Sequence, residues 1–495
     1  MSAALIRFAG EMTTKARRTR GRFQQRLARN LRDGLRRRGS AAHVVEDWSR
    51  FYVEEADEAA FDVLPHLFGT SSFSRIEAEC SASLADIVRT GTALYGDRVK
   101  GRTYAVRARR TGSHAFRSSD VMQELGAALN PGATVNLSHP DVLVEIEVRR
   151  DRAFFLGPHE PGPGGLPLGV QGRALALISG GFDSAVAAWM MMKRGIKLDY
   201  LFCNLAGGAY KRLVLEVTHA LCDEWAFGSR PVIHVMDFSP LADELRRAVK
   251  PQYLQVVLKR MMYRAACTVG EETAAEAIVT GEAVGQVSSQ TLVNLRAIED
   301  VATLPVLRPL VGFDKLEIVD RARDIGTYEL CARVREHCQL VPDRPVTATN
   351  AEAARLHEAD VDLSVLAKAI DERESIEVMK LDAFDIVTPN LFVEDIGPGS
   401  VVIDARTEAE YGDWHWPDAV HRDADDLALG FRELDPERTY ILYCAEGTTT
   451  AHVAERMQAA GYEAYSFRNG LRGMRRLAAQ RGLLEPAADT RTSAS

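Results

Sequence analysis

"RALALISGGFDSAVAAW", residues 173–189, joins a strand to a helix through a loop of small residues. The run up to Ile178 is apolar without alternation, as in a strand covered on both faces. Ser179-Gly180-Gly181-Phe182-Asp183-Ser184 follows, and a helical pattern then runs to Gly195. Two glycines let a backbone come close to a ligand and aim its N–H groups at it. The start of the helix adds positive potential for an anion. The stretch therefore predicts a phosphate cradle. It lacks the Lys that a G-x-x-x-x-G-K-[ST] loop sets on the β- and γ-phosphates. Without that Lys the loop suits the pyrophosphate portion of a nucleotide, with Asp183 available for Mg2+. The chemistry implied lies at the α-phosphate: a substrate oxygen is adenylated and pyrophosphate leaves.

Strand and helix keep alternating from residue 173 to about 340. "LDYLFCNL", "RPVIHVMDF", "EAIVTG" and "LPVLRPL" read as later strands. This is the rhythm of an open parallel sheet. "GPHEPGPGGLPLG", residues 157–169, is expected as a Pro/Gly linker. Before it, "ALIRF", a basic helix and "RFYVEE" form a small α+β unit. "TYAVRARR" and "VLVEIEV" alternate as strands do, and "SSDVMQELGAAL" starts on a Ser/Asp cap and runs as a helix. Residues 346–395 are expected as a helical, acidic connector. "VVIDARTEAEY" opens another βα unit near residue 400, "TYILYCAEGTTTAHVAERMQAAGYEAYSF" continues it, and 483–495 read as a tail.

The chain of 495 residues is long enough for two to four domains, and 46% hydrophobic with 26% charged residues fits a globular protein. It shows no apolar run of bilayer length and no secretory h-region, so no membrane partner and a cytoplasmic location are expected. The net charge of −8 is unevenly spread: residues 1–40 carry +10 and the remainder −18. Within the basic stretch, Phe23, Leu27, Leu31 and Leu35 recur every four residues, which places an apolar stripe on one helix face and Arg on the others. That density of Arg points to phosphate contacts.

Of the seven cysteines, Cys80, Cys203, Cys222 and Cys267 lie in apolar patterns and are expected in cores. No C-x-x-C pair suggests zinc. Cys444 follows "TYILY" and starts "CAEGTTTA" ahead of a helix. A thiol ringed by backbone N–H groups at a helix N-terminus has its thiolate stabilised, and the same cradle can hold the extra sulfur of a persulfide. Cys331 and Cys338 are both placed to be a second reactive thiol on spacing alone.

"LISGGFDS", "LKRMMYRAA", "IVTGEAVGQVSSQTLVNLRAI" and "PVLRPLVGFDKLEI" together resemble the tRNA 4-thiouridine synthetase (tRNA sulfurtransferase) family. "RTYAVRARRTGSHAFRSSDV" with "NLSHPDVLVEIEV" resembles its RNA-binding THUMP domain, and "VIDAR" with "YCAEGTTTA" resembles a rhodanese domain found in some members. The resemblance implies a multidomain α/β chain: a ferredoxin-like leader (1–60), THUMP (61–165), a parallel-sheet adenylating pyrophosphatase-loop domain (166–345), the connector (346–395), and a rhodanese-like α/β domain (396–482). It assigns ATP contacts to Leu177, Ile178, Lys259, Gly281 and Gln290, beside Ser179, Gly180, Gly181, Asp183 and Ser184 of the loop. It favours Cys338 as the redox partner of Cys444, through a transient Cys338–Cys444 disulfide.

The activity implied is ATP-dependent transfer of persulfide sulfur to uridine 8 of tRNA. Adenylation turns the uridine O4 into a leaving group, and the Cys444 persulfide supplies the nucleophile. Glu446 and the Thr run depart from arginine-bearing rhodanese loops, which favours a cysteine desulfurase or other protein persulfide donor over thiosulfate. Alternatives are sulfur delivery to the thiazole-forming sulfur-carrier protein of thiamine synthesis, and a non-catalytic tRNA-binding module. His114 and Arg110 are open between an RNA contact and a packed or solvated role.

Overall fold

A computed structural model describes residues 3–205, 207–334, 345–381, 391–445 and 447–483. The chain divides into two compact units. One comprises Met1–Gly172 with Met191–Lys197 and Glu224–Ser229, and the other holds the rest.

The first unit is built on a nine-stranded sheet. Along its main path the order is His43–Glu46, Arg50–Glu54, Ala3–Phe8, Thr70–Ser81, Arg152–Leu156, Val142–Arg149, Thr103–Thr111 and Thr134–Val135. The basic helix Arg17–Arg37 buries Phe23, Leu27, Leu31 and Leu35, the stripe its spacing predicts. They share a core with Phe51, Val53, Phe61 and Phe73, each such side chain contributing roughly 1.5–3 kcal/mol on burial. Farther along the sheet, helices Leu84–Tyr95 and Ser118–Leu129 pack Ile87, Val121 and Leu125 against Val144, Ile146 and Phe155.

One expectation is corrected in this unit. The 157–169 stretch is not a plain linker: Glu160–Gly164 pairs antiparallel with Thr70–Ser81, and Leu166 and Leu168 are buried. Proline is tolerated there because the strand lies off the main path of the sheet. The sheet runs unbroken from leader to THUMP. The twelve-residue strand Thr70–Ser81 pairs with Ala3–Phe8 through its first half and with Arg152–Leu156 through its second.

The second unit holds two sheets. The first has six strands in the order Val306–Leu307, Ile278–Val279, Arg173–Leu177, Lys197–Asn204, Val232–Asp237 and Glu374–Glu377. The quoted run Arg173–Leu177 is a central strand. The chain steps first to Lys197–Asn204 on one side and later to Ile278–Val279 on the other. Such a reversal opens a crevice at the carboxyl ends of the strands.

The connector expectation is corrected over 346–381. Glu374–Glu377 adds an antiparallel edge strand to Val232–Asp237, and Ala354, Val361, Leu366 and Ile370 are buried in the same core as Leu175 and Ile278. The segment carries few apolar residues, but they fall on inward positions of its two helices, Ala351–Glu358 and Leu363–Asp371.

The last sheet has five parallel strands in the order Phe392–Val393, Glu463–Phe467, Thr439–Tyr443, Val401–Asp404 and Val420–His421. It therefore starts before residue 396. Cys338, Glu446 and the tail from 484 lie outside the described residues.

Candidate active site

The crevice predicted by the strand reversal is a cavity of about 610 Å³, within the size range of ligand pockets. Leu177, Ile178, Ser179, Asp183, Ser184, Lys259, Gly281 and Gln290, all expected at the nucleotide site, line it together. Gly180 and Gly181 do not line it but shape the loop. Gly180 has φ +77°, a left-handed conformation that favours glycine. The Gly181 carbonyl accepts a hydrogen bond from the Ser184 hydroxyl at 3.0 Å. Gly281 is fixed by contact: a Cβ there would lie 2.6 Å from the carbonyl carbon of Asp183 and 2.7 Å from the Ser184 nitrogen. The strand end carrying "TGE" can approach the loop only with no side chain at that position.

Asp183 is the first acid of the helix Phe182–Lys193 and is 7% exposed. Its carboxylate accepts from Lys315 Nζ at 2.8 and 3.1 Å and from the Gln286 amide at 2.8 Å. Lys315 and Gln286 were missed as individual residues, although both lie in the quoted runs "GFDKLE" and "EAVGQ". Their signal is tertiary: each comes from an element far along the chain.

Lys259, expected as an ATP contact, donates to Glu282 at 2.9 Å. Glu282 is buried and also accepts from Tyr263 Oη at 2.5 Å and Arg308 Nε at 3.0 Å. Burial would raise the pKa of this carboxyl, but Lys259, Tyr263 and Arg308 overcome it and pull the pKa down to about 2. Glu282 is thus held ionised and fixes Lys259 at the cavity wall.

Gln290 Oε1 is buried with no hydrogen-bond partner among the described residues. An orphan acceptor is costly unless a ligand satisfies it, so the wall is suited to a donor such as an exocyclic amine. The Tyr210 hydroxyl donates to the Ser179 carbonyl at 3.1 Å and so ties the next helix, Gly207–Trp225, to the loop. Cys203 also faces the cavity, but burial pushes its thiol pKa up, which keeps it protonated.

The second candidate centre is at the carboxyl end of Thr439–Tyr443. Cys444 is 7% exposed. Its sulfur accepts from the Gly447 N–H at 3.1 Å and the Thr450 hydroxyl at 3.6 Å. Gly447 has φ +87° and precedes the helix Thr448–Ala459. Thr450 shares a hydrogen bond of 2.8 Å with Ser466, whose hydroxyl also lies 2.8 Å from the Gly447 carbonyl. The turn is therefore clamped around the sulfur from both sides. Below it, the "VIDAR" run places Asp404 and Arg406 in a buried pair at 2.9 Å, and Tyr443 donates to Asp404 at 2.5 Å. These bonds fix the strand end that carries Cys444.

Cys331 is fully buried, and burial raises its pKa to about 11 against a partly opposing bond from Thr327. A thiol held protonated is a poor nucleophile, which counts against Cys331 as the second reactive thiol. In the first unit, Arg110 donates to His114 Nδ1 at 3.1 Å, and His114 Nε2 donates to the Arg150 carbonyl at 2.5 Å. His114 packs a turn and has no free ring nitrogen for RNA. Trp48 is 48% exposed, with Arg20 over its ring at 4.7 Å and Arg17 at 5.9 Å.

Among the described residues no helix is long and apolar enough to cross a membrane, and no group of three His, Cys, Asp or Glu residues is placed to hold a metal.

Four family profiles match the chain in order: a ThiI ferredoxin-like domain over 3–74, a THUMP domain over 81–156, "Thiamine biosynthesis protein (ThiI)" over 169–363, and a rhodanese-like domain over 388–476. A tRNA sulfurtransferase of Pyrobaculum aerophilum is 37% identical over 476 residues, 94% of this chain and 97% of its own length. One from Citrobacter koseri is 34% identical over 482 residues, with 94% and 98% covered. The crystal structure of a 4-thiouridine synthetase–RNA complex with bound ATP superposes with a TM-score of 0.67 at 29% identity, covering 76% of this chain and 99% of that one. With the expected domains in the expected order and a match over nearly its whole length, the chain belongs to the tRNA sulfurtransferase family.

Proposed function

We propose that the protein uses ATP to transfer persulfide sulfur to uridine 8 of tRNA, giving 4-thiouridine. The observation that carries this reading is the pairing, in one chain, of a lysine-free phosphate loop at a nucleotide-sized cavity with a thiol cradled by the turn of Gly447. The 4-thiouridine synthetase that superposes on the chain binds ATP and RNA.

ATP would place its phosphates at the loop Ser179–Ser184 and its base toward Gln290. Lys315 then supplies the positive charge that the loop sequence lacks. It is held by Asp183 until phosphate displaces it. The donor set also fits Mg2+, because this ion is commonly held by one or two carboxylates with the remaining positions filled by phosphate and water. Asp183 would be the protein ligand, and the ion would neutralise the leaving pyrophosphate.

The uridine O4 attacks the α-phosphate, pyrophosphate leaves, and C4 now carries a good leaving group. Cys444 receives sulfur from a cysteine desulfurase or another protein persulfide donor. Its terminal sulfur attacks C4 and AMP departs. Cys338 then attacks the Cys444 sulfur, which releases 4-thiouridine and leaves a Cys338–Cys444 disulfide. Alternatively Cys338 attacks the persulfide first, which forms the same disulfide and frees hydrosulfide to attack C4. Either way two cysteine sulfurs are oxidised, the transferred sulfur is reduced, and an external thiol restores the enzyme. The first unit would hold the tRNA through phosphates and shape.

The test is mass spectrometry of nucleosides from unmodified tRNA incubated with the protein, ATP, cysteine, a cysteine desulfurase and thiol. ATP-dependent 4-thiouridine is expected, and none in any condition would overturn the proposal. A second reading, sulfur delivery to the sulfur-carrier protein of thiamine synthesis, is favoured by the matched profile's description and its rhodanese-like partner domain. It predicts thiocarboxylate on that carrier.

A further inference from the structure

The helix Gly207–Trp225 opens at the nucleotide cavity. Three successive residues in its first turns reach three different elements. Tyr210 bonds the phosphate loop at the Ser179 carbonyl, 3.1 Å away. Lys211 pairs with Glu374 of the edge strand. Arg212 Nη2 lies 2.9 Å from Oε1 of Glu455, on the helix Thr448–Ala459 that follows the Cys444 turn. The same carboxylate lies over the start of the first helix: a Cβ on Gly208 would come 2.3 Å from Glu455 Oε1. The glycine thus clears the space in which the carboxylate meets the positive end of that helix. Arg212 and Glu455 are 25% and 29% exposed, so each is largely covered by this contact and its surroundings.

The chemistry gives the contact a purpose. Cys444 must be open to an outside sulfur donor and later be presented to a nucleotide held elsewhere in the unit. A broad apolar interface would hold it in one of those states. An ion pair resting on a glycine is small enough to form and part in each cycle. Glu455 lies seven residues beyond Thr448, about 10 Å along a helix, so seating Glu455 sets where the thiol turn stands.

We propose that Arg212 and Glu455 are a docking pair that seats the sulfur-carrying helix on the first turn of Gly207–Trp225 at the rim of the nucleotide cavity. They are positioning residues for the transfer step. The proposal rests on the function argued above.

Two measurements test it on the full chain. R212E, E455R and the swapped double variant are compared in single-turnover thiolation of tRNA, with persulfide loading of Cys444 and tRNA-dependent pyrophosphate release followed in parallel. Each single variant is expected to load sulfur and release pyrophosphate at the normal rate but transfer sulfur roughly tenfold or more slowly, since small misplacements are costly to reaction rate. The double variant is expected to recover most of the loss. Normal transfer in the singles, or no recovery in the double, would overturn the pair. The second measurement needs no activity: with R212K, a zero-length carbodiimide should couple position 212 to Glu455, and E455Q should abolish the linked peptide. Its absence overturns the docking geometry. A linked peptide in a protein that makes no 4-thiouridine would instead overturn the function and leave the contact standing.

Discussion

The Lys315 ammonium sits 2.8 and 3.1 Å from the two carboxylate oxygens of Asp183. The loop that begins LISGG lacks a lysine of its own, and this one, from 132 residues along the chain, stands in the place of need. Its side chain is half exposed, so it can turn from Asp183 to a phosphate.

The first prediction follows from that contact. Lys315→Met should lower kcat/KM for ATP by about 10²-fold, the usual loss when a group that meets developing charge is removed. Asp183→Ala should abolish thiolation. Both should leave tRNA affinity within about twofold, because the basic helix belongs to the other unit. Steady-state kinetics and filter binding on the same preparations check this.

Much of the cavity could be read in advance because a glycine-rich turn after a buried strand is a local signal. Ser179, Asp183 and Ser184 lie within that signal, whereas Leu177, Ile178, Lys259, Gly281 and Gln290 were assigned through the family resemblance. Lys315, Gln286 and Glu282 could not be read the same way, since a lone charged or polar residue is ordinarily on the surface and only the sheet brings them together. The basic helix was readable because Phe23, Leu27, Leu31 and Leu35 repeat at its period. The segment 346–381 was misread because composition averages over a helix. Leu366 and Ile370, four residues apart, place its apolar face on the core.

Glu282 yields a stability prediction. Its pKa falls from an ordinary 4.5 to about 2. The carboxylate therefore stabilises the fold fully above about pH 4.5, and that contribution disappears as pH falls toward about 2. The shift corresponds to roughly 3 kcal/mol. Glu282→Gln should lose a similar amount at pH 7, because Lys259 and Arg308 are left without a buried counter-charge, and its stability should fall less steeply between pH 4.5 and 2 than that of the parent. Urea unfolding at a series of pH values measures both.

On the RNA side, replacing Arg17, Arg18 and Arg22 by Gln should weaken tRNA binding and make the salt dependence shallower. Every phosphate that is no longer neutralised by an arginine reduces the slope of log affinity against log salt by about 0.7–0.9. Trp48→Ala should weaken binding with little change in slope, since a stacked base releases no counterion. Titrations of the full chain at several salt concentrations separate the two effects.

Gly447→Ala tests the thiol turn. The backbone there has φ +87°, and a Cβ would meet the Phe467 carbonyl oxygen at 2.9 Å. Strain of about 1–3 kcal/mol should displace the N–H that faces Cys444. Persulfide loading, read by mass spectrometry of the intact protein, should drop sharply while ATP use persists.

The last prediction concerns which thiol completes the cycle. Cys444 has the cradle of a sulfur carrier, whereas Cys331 is fully buried with its pKa raised to about 11. Cys80 is likewise pushed up by burial. Cys338, the thiol that the family resemblance favours, is the one that resolves Cys444 under the proposed mechanism. A disulfide needs Cα atoms within about 7 Å, so the two must meet during turnover, and in a reducing compartment such a bond is transient. A single turnover without reductant should leave Cys338 joined to Cys444, and added thiol should restore cycling. Cys338→Ser should load sulfur on Cys444 but pass it on poorly, Cys444→Ser should fail to load, and Cys331→Ala should thiolate normally. Peptide mapping after one turnover decides the matter: product formed with both thiols free, or a Cys331–Cys444 link in place of the expected one, would sink the assignment.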